Sequence, residues 1–172
     1  MTTRAAPTRF DTAQRRLDDL FKEHPGRDEA LRATVTILHE EMDPYNWVGI
    51  YVVERDELVL HNFLGRPTPH QRIPLGQGIC GSAITENDTI IVDDVKNDSR
   101  YLACSLETAS EIVVPVRVGS RPVAEIDIDS DKANAFNQED RIFLESIARR
   151  LSLYFADAMK TQPGGVKSPF ST

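Results

Sequence analysis

The stretch EIVVPVRVGSRPVAEIDIDS, residues 111–130, decides the fold. Ile112, Val114, Val116 and Val118 fall on one face of an extended chain, and Glu111, Val113, Pro115 and Arg117 on the other. Further on, Ala124, Ile126 and Ile128 share one face while Glu125, Asp127 and Asp129 share the opposite one. Such alternation is the pattern of half-buried strands. If both apolar faces lie on the same side of one sheet, 116 must oppose 124, 114 must oppose 126 and 112 must oppose 128. Gly119, Ser120 and Arg121 are then left as a hairpin turn of ordinary length. The same register sets Glu111 opposite Asp129 and Val113 opposite Asp127. A slip of one residue would turn every side chain to the wrong face.

This register carries a cost. Aspartate is disfavoured in strands, and like charges placed directly opposite destabilise by about 0.2–1 kcal/mol. Two readings account for the acids. One is a solvated face, or an edge kept acidic against aggregation. The other is a site that takes a cation or shares a proton, because crowded carboxylates raise one another's pKa until one can act as a general acid.

The rest of the chain fits an α+β domain. Phe10, Ala13, Leu17, Leu20 and Phe21 form one helical stripe, and Leu31, Val35, Leu38 and Met42 form another over 27–42. WVGIYVV (47–53) and ELVLHNFL (57–64) read as a second hairpin, TIIV (89–92) as a short strand, and 137–160 as a last helix. Short connections within the strand pairs demand antiparallel neighbours. The expected architecture is one antiparallel β-sheet with helices packed on one face, over residues 1–160, followed by a Pro/Gly/Ser-rich tail, 161–172, expected to be disordered. Two long irregular stretches, 65–78 and 93–109, stand out, since such loops are often functional.

Composition narrows the function. The 172 residues carry a net charge of −7 with no basic stripe, so nucleic acid is not an expected partner. No apolar run approaches a membrane span, and MTTRAAPTRF lacks the apolar block of a secretory signal, so the expected compartment is the cytoplasm. Cys80 and Cys104 are the two cysteines; with four scattered histidines they show no zinc-ligand spacing, and no metal is expected. In a reducing compartment two thiols are either buried fillers or a redox couple. GQGICG, 76–81, matches a dinucleotide-type glycine pattern. That fingerprint needs a parallel βαβ unit, so a tight glycine turn into a helix is the better reading. The helix N-terminus would also be placed to lower the pKa of Cys80.

Together, YNWVGIY (45–51), RIPLGQGICGSAI (72–84), VDDVKNDSRYLACSLETASEIVVPV (92–116) and AEIDIDSDKANAFNQED (124–140) resemble the GAF-domain family of free methionine-(R)-sulfoxide reductases. The resemblance implies that Cys104 is the nucleophile and Cys80 a second family cysteine, either structural or resolving. Glu111, Asp127 and Asp129 would hold the ammonium and the sulfoxide oxygen of the free amino acid. Trp47 and Tyr51 would lie near its methyl-sulfur end. The sequence departs from the family at His70, where relatives carry a third, commonly resolving, cysteine; Cys80 or an external thiol would then take that part.

The implied activity is reduction of free methionine (R)-sulfoxide through a sulfenic acid, recycled by a thioredoxin-type dithiol, with no cofactor. Clustered carboxylates disfavour a thiolate, so the substrate ammonium is expected to relieve the cage. The alternative is a non-catalytic GAF domain that binds a small amino-acid-like ligand. Pairing through helices, common among GAF relatives, leaves a homodimer open.

Overall fold

A computed structural model describes residues 6–103 and 105–160. Two helices, α1 (Asp11–Lys22) and α2 (Arg27–Glu41), precede the hairpin β1 (Trp47–Glu54) and β2 (Glu57–Leu64). A short β3 (Arg72–Pro74), a helix α3 (Gly78–Glu86) and a short β4 (Ile90–Val92) follow. After a 3₁₀ turn, Val95–Asn97, come the hairpin β5 (Ser110–Val118) and β6 (Arg121–Ser130), and the long α4 (Gln138–Lys160). The six strands form one antiparallel sheet in the order β3-β2-β1-β6-β5-β4. Among the described residues no helix is long and apolar enough to cross a membrane. The tail at 161–172 lies outside the described residues, as does Cys104.

The decisive hairpin has the register that its alternation demands. Val116 opposes Ala124, Val114 opposes Ile126, Ile112 opposes Ile128, Glu111 opposes Asp129 and Val113 opposes Asp127. The turn differs. Val118 pairs with Arg121, so the loop is Gly119-Ser120, and a bulge after Val116 sets Arg117 against Pro122. Gly119 takes φ +62, the left-handed conformation that suits a two-residue hairpin loop. Pro122 has no N–H to give to a regular ladder, which is why the irregularity falls beside it. The other difference is β3, a three-residue strand inside the expected loop 65–78, too short to show a period.

Each face of the sheet has its own apolar cluster. The inward residues of β1, β5 and β6, including Ile50, Val114 and Ile126, pack with Leu17, Leu38, Ile147 and Leu151 from α1, α2 and α4. Trp47, Tyr51, Leu58 and Val113 face the other way and pack with Ile79, Cys80 and Ala83 of α3. Asp140 ties the first layer together. Its buried carboxylate accepts from Tyr45 Oη at 2.7 Å, Arg9 Nη2 at 2.5 Å and the Asn137 N–H at 2.9 Å. Asn137 returns the cap by accepting from the Glu139 N–H at 2.8 Å.

Ile126 sits at the centre of this core, fully buried between Val114 and Ile50. Ile126→Ala is expected to lower the unfolding free energy by about 2–5 kcal/mol. Ile142→Ala, at a position 59% exposed, should change it by less than about 0.5 kcal/mol. Urea denaturation of both variants measures the difference.

Candidate active site

The face turned away from α1, α2 and α4 carries three side-chain columns. The central one, on β6, is Glu125, Asp127 and Asp129. On β1 these oppose Tyr51, Gly49 and Trp47 in turn. On β5 they oppose Pro115, Val113 and Glu111. A row of acids thus lies between an aromatic wall and a fourth carboxyl. Gly49 is what lets the wall fold inward: a Cβ there would stand 2.3 Å from the Trp47 ring. The indole stacks on Phe63 with centroids 5.5 Å apart and donates from Nε1 to the Arg66 carbonyl at 3.0 Å. Tyr51 donates from its hydroxyl to the His70 carbonyl at 2.8 Å. The expected aromatic residues therefore line the acid face, and both anchor the loop that follows β2.

Helix α3 covers the face. Its glycine turn is a tight one, as read from sequence. Gly78 has φ +68 and its Cβ position is filled by the Leu102 side chain. The backbone there brings Cys80 down onto the acids. Cys80 is 5% exposed, and its Sγ lies 3.9 Å from Glu111 Oε1, at the limit for a weak S–H donor.

The acids are buried rather than solvated. Glu111, Glu125, Asp127 and Asp129 are all 5% exposed or less. Both Glu125 oxygens and Asp127 Oδ1 find no hydrogen-bond partner among the described residues. Thr108 Oγ1 donates to Asp129 Oδ2 at 3.4 Å. Asp140 gives the contrast within the same molecule, since a structural buried carboxylate there is met by three donors. Burial raises the Asp127 carboxyl to about 6, against hydrogen bonds from Cys80 and Glu111 that favour its anion. Glu111 is pushed well above the carboxylate range by burial first, then by the charges of Asp127 and Asp129. Burial and the charge of Asp127 likewise raise Glu125, with the Cys80 thiol pulling the other way. Asp129 rises through burial and Asp127.

Cys80 corrects one expectation. Near the N-terminus of α3 its pKa was expected to fall. Burial, followed by the charges of Asp127, Glu125 and Glu111, pushes it well up instead. Carboxylates in van der Waals range of a desolvated thiol outweigh a helix-end dipole worth about 0.3–1 kcal/mol. Cys80 is therefore a thiol at rest. His70 is half-buried, with its ring Nε2 3.2 Å from the Ala103 carbonyl. Leu102 and Ser105, on either side of the undescribed Cys104, reach two recesses of about 10 Å³ each, one over Cys80 and Glu111, the other over Trp47 and Asp129. Arg66 joins the walls, reaching Ser105 Oγ at 3.2 Å and pairing with Asp131.

Glu125 is the residue that sequence reasoning left out of the site. Its signal was present: it shares the face of Asp127 and Asp129. A second arrangement was not visible in the linear spacing of cysteines and histidines. Cys80, Glu111 and Asp127 each offer one ligand atom, all within 4.8 Å of one another.

A curled antiparallel sheet with an acidic, loop-covered face is a GAF fold, and the sequence profile of the GAF domain matches residues 25–156. The free methionine-R-sulfoxide reductase of Escherichia coli is 35% identical over 126 residues, 73% of this chain and 76% of its own. The type II free methionine-R-sulfoxide reductase structure from Thermoplasma acidophilum is 41% identical with a TM-score of 0.74, covering 82% of this chain and 96% of its own. The Neisseria meningitidis free methionine-R-sulfoxide reductase, solved in complex with its substrate, is 30% identical with a TM-score of 0.81, covering 91% and 95%. The chain belongs to the free methionine-R-sulfoxide reductase family of GAF domains.

Raised acid pKa values make stability depend on pH. A carboxyl with a raised folded pKa adds stability below its ordinary value, 4.5 for Glu125, and loses it as pH climbs toward the folded value. Glu125→Gln is neutral throughout and avoids that loss. Its stability relative to the unaltered chain should therefore rise as pH climbs above 4.5 toward the folded pKa, as urea midpoints at several pH values will show. A difference that stays flat would mean that Glu125 does not titrate against burial.

Proposed function

We propose that this protein reduces free L-methionine (R)-sulfoxide to L-methionine in the cytoplasm, with Cys104 as nucleophile and a thioredoxin-type dithiol as final donor. The observation that carries the reading is the buried row of acids beside a thiol, three of whose oxygens have no partner among the described residues. Such a face is costly unless a ligand with donors completes it. A free amino acid brings an ammonium, and a sulfoxide brings an oxygen that accepts a proton from a neutral carboxyl.

The chemistry follows from those groups. The Cys104 sulfur attacks the sulfoxide sulfur, the protonated oxygen leaves as water, and water then cleaves the new S–S bond, leaving the oxygen on Cys104 as a sulfenic acid and releasing methionine. Glu111, whose pKa is raised by burial and by its acidic neighbours, would donate to that oxygen. Asp127 and Asp129 would hold the ammonium, with Trp47 and Tyr51 against the S-methyl end. In balance, thiol and sulfoxide give sulfenic acid and methionine. The Cys80 thiol then condenses with the sulfenic acid, releasing water and forming a disulfide. An external dithiol reduces that bond and becomes oxidised itself. With His70 in the place of the family's further cysteine, Cys80 is the resolving thiol we favour. Its raised pKa makes resolution slower than it would be for an exposed thiol, because the thiolate is the attacking form.

Selectivity for the free amino acid has the same origin. An acylated amine cannot pair with the acids, and buried groups left unpaired reject the wrong substrate strongly.

Incubation with each sulfoxide epimer and a thioredoxin system, followed by measurement of methionine, tests the proposal. Product should form from the R epimer alone and not from the N-acetylated sulfoxide. Cys104→Ser should abolish product, whereas Cys80→Ser should keep the first turnover and slow recycling. Asp129→Asn should raise KM at least about tenfold, the worth of a charge-assisted hydrogen bond of about 1.5–3 kcal/mol. Tight binding of the sulfoxide with no methionine released by the unaltered chain would instead make this a binding domain.

A further inference from the structure

We propose that Cys80, Glu111 and Asp127 form a binding site for a zinc-type divalent cation, and that this cation and the amino-acid substrate exclude one another. The second half rests on the function proposed above; the metal site itself does not.

Geometry provides the first support. One sulfur and two carboxylate oxygens, from α3, β5 and β6, lie within 4.8 Å of one another. The Cys80 Sγ to Glu111 Oε1 distance is 3.9 Å. Tetrahedral zinc, with bonds of about 2.3 Å to sulfur and about 2.0–2.2 Å to oxygen, separates such atoms by about 3.6 Å. The Cys80–Glu111 pair needs to close by about 0.3 Å, and no pair by more than about 1.2 Å. Three protein ligands leave a fourth position open.

The second support is independent of the spacing. Asp127 Oδ1 is buried and without a partner, and so are both oxygens of Glu125, the next residue along the same face. Asp140 shows that this protein meets a buried structural carboxylate with donors. Among the described residues these three oxygens of the cage have no such donor. Its counter-charge is also incomplete. Arg66 acts on Asp129, and Arg100 on Glu111, but their guanidinium groups are engaged with Asp131 and with Asp98. A zwitterionic amino acid brings no net charge, whereas a divalent cation stabilises the deprotonated forms of the groups that bind it.

The donor set selects the ion. Calcium and magnesium take oxygen ligands and do not seek a thiolate. One sulfur with two carboxylates suits zinc, or cobalt(II) as its spectroscopic substitute. On binding, the Cys80 S–H bond breaks, the sulfur–metal bond forms and the proton goes to solvent. The cation would then occupy the acids proposed for the ammonium and withhold Cys80 from the recycling step.

The test uses the full chain stripped of metal and kept reduced with a phosphine. Zinc alone is titrated against a chromophoric chelator at about pH 7. One zinc per chain is expected. Cys80→Ser and Asp127→Asn should each weaken it at least about tenfold, the least that even outer-shell changes commonly cost, while Cys104→Ser keeps it. Cobalt(II) added to the unaltered chain should give a thiolate charge-transfer band, retained in Cys104→Ser. Zinc held equally well by Cys80→Ser, or no thiolate band with cobalt in the unaltered chain, overturns the site whatever the variants do to folding. Exclusion is read in Cys104→Ser, which cannot turn over. Saturating methionine sulfoxide, its binding first verified by calorimetry without metal, should weaken zinc at least about tenfold, and zinc should weaken the sulfoxide equally. Sulfoxide that binds and leaves zinc affinity unchanged overturns the exclusion. A chain that binds zinc but neither binds nor reduces the sulfoxide leaves the metal site standing and removes the function.

Discussion

Four carboxyl groups taken out of water on one face of a sheet, with few donors to meet them among the described residues, are the constraint around which the rest is arranged. Glu111, Glu125, Asp127 and Asp129 are each placed by strand alternation, so none can turn away without breaking the core on the other side. The apolar partners of that alternation, Ile112, Val114, Ile126 and Ile128, are buried against the helices. Burying them stabilises the fold, and the same pleat forces the acids inward beneath α3. The cost of the acid face is thus offset by the core it is bonded to, residue by residue. Protons held on the acids reduce the cost, and a ligand with donors would reduce it further.

Around that face the molecule uses ordinary devices to keep the arrangement. Gly49 leaves room for the indole of Trp47, and Gly78 leaves room for Leu102. Trp47 and Tyr51 donate to backbone carbonyls of the loop after β2, so the aromatic wall and the loop position one another. Arg66 ties that loop to Ser105 and Asp131. Burial first, and then the acids around it, raise the Cys80 pKa and favour the thiol.

Sequence and structure agree most closely where a period was long enough to read. The pairing of β5 with β6, with Glu111 opposite Asp129, follows from eight or so alternating residues on each side. The turn was misjudged by one residue because the bulge beside Pro122 leaves no mark in an alternation read inward from the strand ends. Strand β3 was missed because three residues carry no period. The direction of the Cys80 shift was missed because a helix N-terminus is visible in sequence, whereas three carboxylates from two other strands are not.

By itself the sequence determined the α+β class, the central register and the face on which the acids lie, because period-2 alternation and the need to bury apolar side chains leave no other solution. The tertiary structure alone decided that this face is closed over rather than wet, that Glu125 belongs to it, and that a thiol from α3 meets carboxyls from β5 and β6. Those facts depend on contacts between segments more than 30 residues apart, and distance along a chain carries no information about distance in space until the core has folded.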